Sequence, residues 1–488
     1  MLLDATAQAT AIKSGELTAH QILEETISRI QERNPRLNAL ISTQFDDARQ
    51  VLNNMSDDTI QKLPFAGVPI LLKDLGQSQE GQLNTSGSRL FKDYKSQITD
   101  NYVKSLEDLG FIIMGRTNTP EFGFKNISDS ELHGPVNLPA DHKRNAGGSS
   151  GGAASAVSSG IIAIACASDG GGSIRIPASF NGLIGLKPTR GRLPVGPLSY
   201  RGWQGASVSF VLTQSVRDTQ SLLYHLQNLQ MESPFPLPKL SKETIFNNPL
   251  QNPLKIAVLT ASPIGSSVSS DAKNAVLEVS KVLSEIGHDI ITIDDWPIDG
   301  IGVMRAYYLM NSVETAAMFD GIEQLFKRKM TRNDMELMTW AIYQSGQKIP
   351  AKTYSHVLDE WDQYSVSMAH FHEEYDILLT PTTNGPAPLH GQFDLSDNLK
   401  NQLLDIENKS ISDQQDLIWE MFADSLAWTP YTQLANLTGQ PALSLPTYRT
   451  SENLPMGIQV MAAKGREDLL LNLAQQLEAQ GILKIGFD

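Results

Sequence analysis

The first 60 residues carry apolar side chains at helical spacing. One helical face is formed by Leu23, Ile27 and Ile30. Just before them, Thr18 and Gln21 have the spacing of a capping box, which satisfies backbone N–H groups at a helix start. A proline disfavours helical backbone in the residue before it, so Asn34-Pro35 predicts the end of this helix. The pattern therefore predicts helices over residues 1–60.

Beyond residue 60, short continuous apolar runs alternate with helical periodicity. The runs predict strands at residues 65–74, 111–115, 161–167, 254–259, 289–293 and 375–382, and a hairpin-like pair at 436–446 and 454–460. Helices are predicted at residues 103–109, 216–229, 272–286 and 467–479, with a mainly helical stretch over 302–375 that breaks at Pro350. This alternation is typical of an α/β protein, so we expect a large mixed or parallel sheet with helices on both faces.

Two polar stretches have no clear period. Residues 233–253 are rich in Pro, Asn and Ser, which predicts a surface excursion. Residues 390–428 predict a polar, partly mobile segment. The first stretch is the only candidate linker in the sequence, and it argues weakly for a domain boundary.

The chain is long and acidic. Its 488 residues are 41% hydrophobic, which is enough for a large core. With 39 Lys and Arg against 54 Asp and Glu, the formal net charge is −15, and this disfavours nucleic acid and anionic membranes as partners. No apolar run approaches the roughly 20 residues of a membrane helix, and the N-terminus lacks the pattern of a secretory signal. We therefore expect a cytoplasmic protein.

Cysteine and histidine usage argues against disulfide and metal chemistry. The single cysteine, Cys166, lies in an apolar run, so we expect a buried structural thiol and no intrachain disulfide. None of the nine histidines falls in a His-Glu-x-x-His pattern. His370 and His372 are two apart in a predicted helix, so their side chains point in different directions. We expect no metal and no cofactor.

Two glycine clusters that contain serines flank one predicted helix and one predicted strand. The first, residues 145–152, reads Asn-Ala-Gly-Gly-Ser-Ser-Gly-Gly. The second, residues 168–173, reads Ser-Asp-Gly-Gly-Gly-Ser. Glycine lets another group approach the backbone closely, and glycine-rich loops present N–H groups that hold an anion or an oxyanion. We therefore expect the two loops to meet at one site.

Two common uses of such loops do not fit the flanking residues. A phosphate-binding loop needs Lys-Ser or Lys-Thr after its last glycine, and neither cluster has it. Residues 147–151 match Gly-x-Ser-x-Gly, the nucleophile elbow, but that elbow follows a buried strand, and here the charged residues 141–145 precede it. What remains is a serine nucleophile that a neutral lysine activates, since burial lowers the pKa of lysine.

Lys73 is the candidate base because it ends a predicted apolar strand. A second serine can relay the proton when geometry keeps the lysine from the nucleophile. On this stretch alone, a surface lysine at a strand end is the plainer interpretation.

The motifs taken together resemble those of the amidase signature family. Besides the two glycine clusters, the matching stretches are residues 67–69, 73–74, 115–118, 185–189, 378–382, 439–442 and 454–459. They run in order from about residue 60 to the C-terminus. The resemblance implies the amidase signature fold, with residues 1–60 as an N-terminal helical segment packed on a single domain at 61–488. Variable insertions are expected near residues 233–253, 300–345 and 390–430.

The resemblance also implies a Ser–cis-Ser–Lys triad. The matching residues are Ser173 as the acyl-forming nucleophile, Ser149 as the relay and Lys73 as the base. A serine in a glycine loop is otherwise most often a turn residue. Here both the spacing between the two serines and their flanking residues fit the family.

Further positions match the loops around that triad. Backbone N–H groups match the family's oxyanion hole at Gly170, Gly171, Gly172 and Ser173. Positions that brace the loops are matched by Ser150, Asp169 and Arg175, and we expect Arg175 mainly to pair with an aspartate. Gly170 departs from the usual Thr or Ile, which we expect to loosen or widen the site.

The implied activity is hydrolysis of an amide carbon–nitrogen bond in a small carboxamide or in a linear or cyclic amide. Residues 187–192 and 465–468 are similar to a bacterial subgroup that includes hydrolases of nylon cyclic oligomers. The expected partner is a small-molecule amide substrate, and the expected assembly is a monomer or homodimer.

Two alternatives differ in class. An amidotransferase A-type subunit, which supplies ammonia for tRNA-dependent amidation, usually carries Asp-Asn after the lysine, whereas Leu75 follows Lys73-Asp74 here. Residues 206–210 also lack the usual sequence of such amidotransferases. A catalytically dead scaffold is disfavoured because all three triad residues are present.

Substrate specificity is expected to come from the variable regions near residues 300–345 and 390–430. Their large aromatic residues either line a pocket or fill core, and core is the expected place of any one of them: Tyr307, Trp340, Trp419, Phe422 and Trp428.

Overall fold

This computed structural model describes residues 2–247 and 253–487. The fold is built on one long mixed sheet. The strands are β1 Leu40–Thr43, β2 Pro69–Lys73, β3 Ile112–Thr117, β4 Asp129–Ser130, β5 Gly134–Pro135, β6 Asn137–Leu138, β7 Asp141–Asn145, β8 Ala165–Asp169, β9 Ile184–Lys187, β10 Val208–Thr213, β11 Lys255–Val258, β12 Asp289–Thr292, β13 Ile377–Pro381, β14 Ala442–Arg449 and β15 Pro455–Ala462.

The helices are α1 Ala5–Ser14, α2 Ala19–Leu37, α3 Phe45–Asn53, α4 Asp57–Lys62, α5 Asn101–Asp108, α6 Gly151–Ser158, α7 Arg175–Asn181, α8 Val216–Leu226, α9 Lys242–Phe246, α10 Ser270–Glu285, α11 Gly300–Phe326, α12 Leu337–Gly346, α13 Ala351–Glu374, α14 Asp397–Leu404, α15 Ile411–Trp428, α16 Gln433–Thr438 and α17 Glu467–Ala479. Short 3₁₀ turns lie at Arg89–Phe91, Glu121–Gly123, Gly202–Gly205, Arg332–Asp334 and Ile406–Asn408.

Within the described residues, eleven strands pair in the order β1-β3-β2-β8-β10-β9-β14-β15-β13-β11-β12. β2 runs parallel to β3 and β8, and β11 runs parallel to β12 and β13. The remaining pairs are antiparallel. The α/β prediction with a mixed sheet is therefore confirmed.

Two hydrophobic clusters cover the two faces of the sheet. Successive side chains of a strand point to opposite faces. In β13, accordingly, Ile377 and Leu379 join one cluster and Leu378 joins the other. Helices α1, α2, α8, α10 and α17 pack into the first cluster, and α11 to α15 supply most of the second. The expectation of helices on both faces is correct.

Several elements match the predictions closely. The predicted unit at residues 254–293 is β11-α10-β12, with its two strands parallel. The late hairpin is the antiparallel pair β14–β15, and the last helix, α17, has the predicted bounds.

The prediction of helices alone over residues 1–60 is wrong. β1 lies in this segment and pairs antiparallel with β3 at the edge of the sheet. The predicted helix stop at Asn34-Pro35 is also wrong, because α2 continues through Pro35 to the buried Leu37. Asn38 ends the helix instead, with a left-handed φ of 52° that asparagine tolerates better than most residues. The division of the chain near residue 60 stays a prediction.

Residues 390–428 hold two helices where the sequence predicts a polar, partly mobile segment. The physical reason is a set of buried apolar residues at helical spacing in α14 and α15: Leu399, Leu403, Leu417, Ile418, Met421 and Phe422. The predicted excursion at 233–253 contains α9, whose Ile245 is buried, and its residues 248–252 lie outside the described part. Across the described ranges, none of the helices combines the length and apolar character needed to cross a bilayer.

Candidate active site

Lys73 is the last residue of β2 and is fully buried. Its backbone N–H donates to Oε1 of Gln77 at 2.7 Å, and Gln77 donates in turn to the carbonyl of Ala167 in β8 at 3.0 Å. The buried guanidinium of Arg116 donates to the carbonyls of Lys73 at 3.0 Å and Gln77 at 2.8 Å. These bonds fix the end of β2 beside the end of β8.

The Lys73 ammonium group contacts two serine hydroxyls. Nζ donates to Oγ of Ser149 at 2.7 Å and to Oγ of Ser168 at 3.0 Å. Burial lowers the pKa of Lys73 from 10.5 to about 7, although the nearby charge of Asp169 acts in the opposite direction. A large fraction of Lys73 is therefore neutral at physiological pH, as a general base requires.

The first glycine cluster brings Ser149 to this lysine. The Gly148–Ser149 peptide bond is cis, and Ser149 is almost fully buried. A Cβ on Gly148 would lie 2.6 Å from the backbone of Ile127, and one on Gly147 would lie 2.7 Å from the ring of Phe180. Glycine is thus required at both positions, because the Ile127 backbone and the Phe180 ring leave no space for a Cβ.

Ser150 connects the first cluster to the second. Its hydroxyl donates to the carbonyl of Ser168 at 3.2 Å and accepts from the Ser168 N–H at 3.3 Å. The expected bracing residue therefore bonds directly to the backbone of β8, one residue before Asp169.

Asp169 organises the second cluster. One carboxylate oxygen accepts from the N–H of Gly172 at 2.7 Å, and the other accepts from Ile174 at 3.2 Å. Arg175 forms a fully buried ion pair with Asp169 at 2.9 Å. Burial alone would raise the pKa of Asp169, but the charge and hydrogen bonds of Arg175, with a bond from Asn436, hold it well below its usual range.

Arg175 extends this network to two distant elements. It donates to the side chain of Gln459 in β15, to that of Asn436 in α16 and to the carbonyl of Thr432, each at 2.7 Å. Asn436 returns a bond to the Asp169 carboxylate at 2.9 Å. The pairing of Arg175 with an aspartate thus ties the loop to the C-terminal part of the sheet.

A second buried lysine lies behind the loop. Nζ of Lys187, at the end of β9, donates to the carbonyl of Pro188 at 2.9 Å. Burial, reinforced by the charge of Arg175, lowers the pKa of Lys187 to about 7, against the opposing charge of Asp169. The pKa values of Lys187 and Lys73 are therefore both lowered to about 7. Lys187, however, does not contact Ser149 or Ser168.

The four backbone N–H groups expected in an oxyanion hole are not equivalent. The N–H of Gly172 already donates to Asp169. Within the described residues, the N–H groups of Gly170, Gly171 and Ser173 donate no hydrogen bond. Gly171 and Ser173 also line a common cavity. The N–H groups of Gly171 and Ser173 are therefore free to donate to a group that enters this cavity.

Aromatic rings pack against the other two glycines. A Cβ on Gly170 would lie 2.9 Å from the ring of Trp203, and one on Gly171 would lie 2.3 Å from the hydroxyl of Tyr307. Trp203 fills the space that a larger residue at position 170 would take. The expectation that Gly170 loosens or widens the site is therefore wrong.

Ser173 lies between the glycine run and α7, and is partly exposed to a cavity of about 60 Å³. We call this the active-site cavity. Its apolar and aromatic walls are formed by Phe124, Ile176, Trp203, Tyr307, Tyr308, Ile342, Ile418, Phe422 and Leu426. Among the described residues that line it, none carries a carboxylate.

Comparison with known proteins identifies the family of this chain. A family model described as Amidase matches residues 21–471. The chain belongs to the amidase family. It is therefore a hydrolase of amide carbon–nitrogen bonds, as the sequence predicts.

Two similar proteins cover nearly the whole of this amidase. A lipoamidase from Enterococcus faecalis is 37% identical over 470 residues, which are 96% of this chain but 62% of that longer protein. A solved structure of 6-aminohexanoate cyclic dimer hydrolase complexed with substrate is 32% identical, covers 99% of this chain and 97% of its own, and superposes with a TM-score of 0.88. The predicted likeness to the hydrolases of nylon cyclic oligomers is confirmed.

The amidotransferase alternative has a more distant match. A solved glutamyl-tRNA(Gln) amidotransferase chain of the A type, from Thermotoga maritima, is 22% identical and covers 96% of this chain and 94% of its own, with a TM-score of 0.70. At that identity the match establishes a shared fold only.

Some residues of the amidase site were not singled out from the sequence. Ser168 accepts a hydrogen bond from Lys73 at 3.0 Å, and its place at the head of the second glycine cluster was the available signal. Gln77, Arg116 and Asn436 had no such signal, because their partners lie in other elements. Cys166 is buried, as predicted.

The five large aromatic residues of the variable regions divide between the active-site cavity and the core. Tyr307 and Phe422 line the active-site cavity. Trp340 is buried within the second hydrophobic cluster, against which Trp419 packs, and Trp428 packs on a third, smaller cluster.

Replacing Arg175 by Met should leave the Asp169 carboxylate buried without its counter-charge. Breaking a buried pair in this way costs about 3–5 kcal/mol of unfolding free energy. Urea denaturation should show that loss. The matched control is Arg305→Met, which breaks an exposed pair with Asp416 and should cost about 1 kcal/mol or less. Equal losses in the two variants would contradict the role assigned to the buried pair.

Proposed function

We propose that this amidase forms an acyl-enzyme on Ser173, with Ser149 as proton relay and Lys73 as general base. The observation that carries the proposal is the 2.7 Å contact between Lys73 and Ser149 in a fully buried setting, where the pKa of the lysine is lowered to about 7. A buried lysine without a carboxylate in hydrogen-bond contact is costly to keep charged, and a neutral amine accepts protons.

Acylation begins with the hydroxyl of Ser173. Neutral Lys73 takes the proton of Ser149, and Ser149 takes the proton of Ser173 as the Ser173 oxygen attacks the amide carbonyl. A tetrahedral oxyanion forms, and the N–H groups of Gly171 and Ser173 donate to it. The carbon–nitrogen bond then breaks, the relay returns the proton to the departing nitrogen, and an amine or ammonia leaves.

Deacylation reverses the roles of the nucleophile and the leaving group. Water loses a proton to the same relay and attacks the ester carbonyl, and the oxyanion forms again near the same N–H groups. The ester bond breaks, Ser173 regains its proton, and a carboxylic acid is released. The balance over the cycle is one amide and one water converted to one acid and one amine. No step needs a metal or a cofactor.

The substrate that fits best is a small carboxamide or a linear or cyclic amide whose reacting part is uncharged. The apolar and aromatic walls of the active-site cavity support an uncharged acyl group, because Lys125, which also lines it, is already ion-paired with Asp129 and Glu336. The names of the similar lipoamidase and 6-aminohexanoate cyclic dimer hydrolase support the same substrate class. A net charge of −15 supports action without nucleic acid. We also propose that the enzyme is a cytoplasmic monomer or homodimer.

Ser173→Ala tests the nucleophile. The variant should lose measurable amide hydrolysis and should no longer be labelled by a fluorophosphonate, because the attacking oxygen is gone. Mass spectrometry of the labelled wild-type peptide should place the adduct on Ser173. Labelling that persists on Ser149 in the variant would favour the nucleophile elbow at residues 147–151 instead.

The pH dependence of kcat/KM tests the base. Protonated Lys73 cannot accept a proton, so activity should rise with pH through about 7 and then level off. Lys73→Ala should lose most of the activity while its circular dichroism spectrum stays unchanged. Because Lys187 has the same pKa, Lys187→Met is the control, and it should keep a midpoint near 7. A midpoint that disappears only in the Lys187 variant would transfer the titration to that residue.

Ser149→Ala tests the relay. The nucleophile and the oxyanion donors remain, but the proton path from Ser173 to Lys73 is cut. Loss of one positioned proton-transfer group typically lowers the rate by about 10²–10⁴-fold. Single-turnover kinetics should show that both acylation and deacylation slow down, since one relay serves both. Unchanged acylation would mean that Lys73 reaches Ser173 directly.

A further inference from the structure

A second, larger space adjoins the active-site cavity. It has a volume of about 570 Å³, against about 60 Å³ for the active-site cavity, and we call it the outer groove. Its walls come from residues 125–131, the start of α12, residues 393–400 and α15. Ligand sites usually have volumes of about 300–1,000 Å³. The outer groove is within this range, and the active-site cavity alone is well below it.

Four residues line both spaces and so form the wall between them: Lys125, Asn126, Phe422 and Ser425. Two of them are held in place by polar contacts. Nδ2 of Asn126 donates to the carbonyl of Ser425 and to the hydroxyl of Thr429, both at 2.9 Å, which ties residue 126 to α15. Nζ of Lys125 pairs with Asp129 and with Glu336, also at 2.9 Å.

Phe422 is the one large apolar side chain in this wall. Its ring stacks on that of Tyr308 in α11, with ring centroids 4.9 Å apart and planes 4° apart. Phe422 is only 8% exposed, so its ring occupies space between the two compartments rather than extending into solvent. The other wall members hold their positions through hydrogen bonds or ion pairs, whereas Phe422 is held by packing and fills the gap by its size.

We propose that Phe422 determines the length of substrate that the amidase accepts. On this inference, which rests on the proposed function, the outer groove receives the end of an elongated amide that lies away from the reacting bond. The ring of Phe422 limits how much of the substrate passes between the two compartments. A smaller residue at position 422 joins the active-site cavity to the groove and shifts preference towards longer amides.

The test compares kcat/KM along two series of uncharged amides, one lengthened on the acyl side and one on the amine side. The variants are Phe422→Leu and Phe422→Ala. In a hydrophobic pocket, a difference of one methylene changes kcat/KM by about tenfold or more. The ratio of the long to the short amide should therefore rise by about tenfold or more, in at least one of the two series. The side on which it rises identifies which end of the substrate occupies the groove.

Phe319→Leu is the matched control. Phe319 is a buried phenylalanine of the same hydrophobic cluster, and it lines neither the active-site cavity nor the outer groove. Its length preference should equal that of the wild type. Thermal melting and fluorophosphonate labelling of Ser173 identify any variant that fails to fold, and Phe422→Leu, the milder change, keeps the test open if Phe422→Ala does not fold.

Three results that would contradict the expectation have different meanings. A folded Phe422→Leu variant with the wild-type length preference in both series would overturn the role of Phe422 and leave the proposed function intact. An equal shift in Phe319→Leu would also overturn it, because the effect would then come from loss of packing in general. A wild-type enzyme that hydrolyses no amide of either series and resists labelling of Ser173 would instead refute the proposed function.

Discussion

The buried ion pair between Asp169 and Arg175 is the interaction on which the site depends. Neither charge is tolerable in the core alone, and the pair is stable only because its remaining polar atoms are also bonded. Asp169 accepts hydrogen bonds from the N–H groups of Gly172 and Ile174. Arg175 donates hydrogen bonds to side chains of α16 and β15. One pair of charges thus shapes the glycine loop and anchors it to elements more than 250 residues away in the chain. It also occupies the Gly172 N–H, which leaves Gly171 and Ser173 to face the cavity.

Lys73 lies in the same buried region, but its protonation differs from that of Asp169 because its contacts differ. Asp169 keeps its charge because a guanidinium contacts it, whereas Lys73 contacts hydroxyl groups that can accept a hydrogen bond but supply no counter-charge. The guanidinium therefore keeps the Asp169 carboxylate ionised in spite of burial, whereas burial without a contacting counter-charge favours the neutral form of Lys73. The carboxylate thus stays charged, while the amine can lose its proton near pH 7.

Much of the fold and part of the site follow from local sequence. Apolar runs and helical periods located most of the strands and helices, because they report burial directly. β1 was missed because its Leu-Ile-Ser-Thr sequence buries only one residue fully, and α14 and α15 because their polar faces mask the buried stripe. The motifs singled out Lys73, Ser149 and Ser173, and the structure places Lys73 in contact with Ser149. Asn126 depends on a contact with α15, far away in the chain, which no local pattern encodes. The occupied N–H of Gly172 depends on how the loop folds back onto Asp169, three residues earlier, and the motif alone does not reveal that bond.

The two buried lysines have a consequence for folding itself. In the unfolded chain Lys73 and Lys187 hold their protons up to a pKa of 10.5, whereas in the folded protein both release them near pH 7. Between these values the unfolded state binds more protons, so the free energy of unfolding increases with pH. Over this range folding expels up to two protons from these residues into the solvent. The two lysines therefore make folding more favourable as the pH rises above neutrality, where the Lys73 amine is also free to accept a proton.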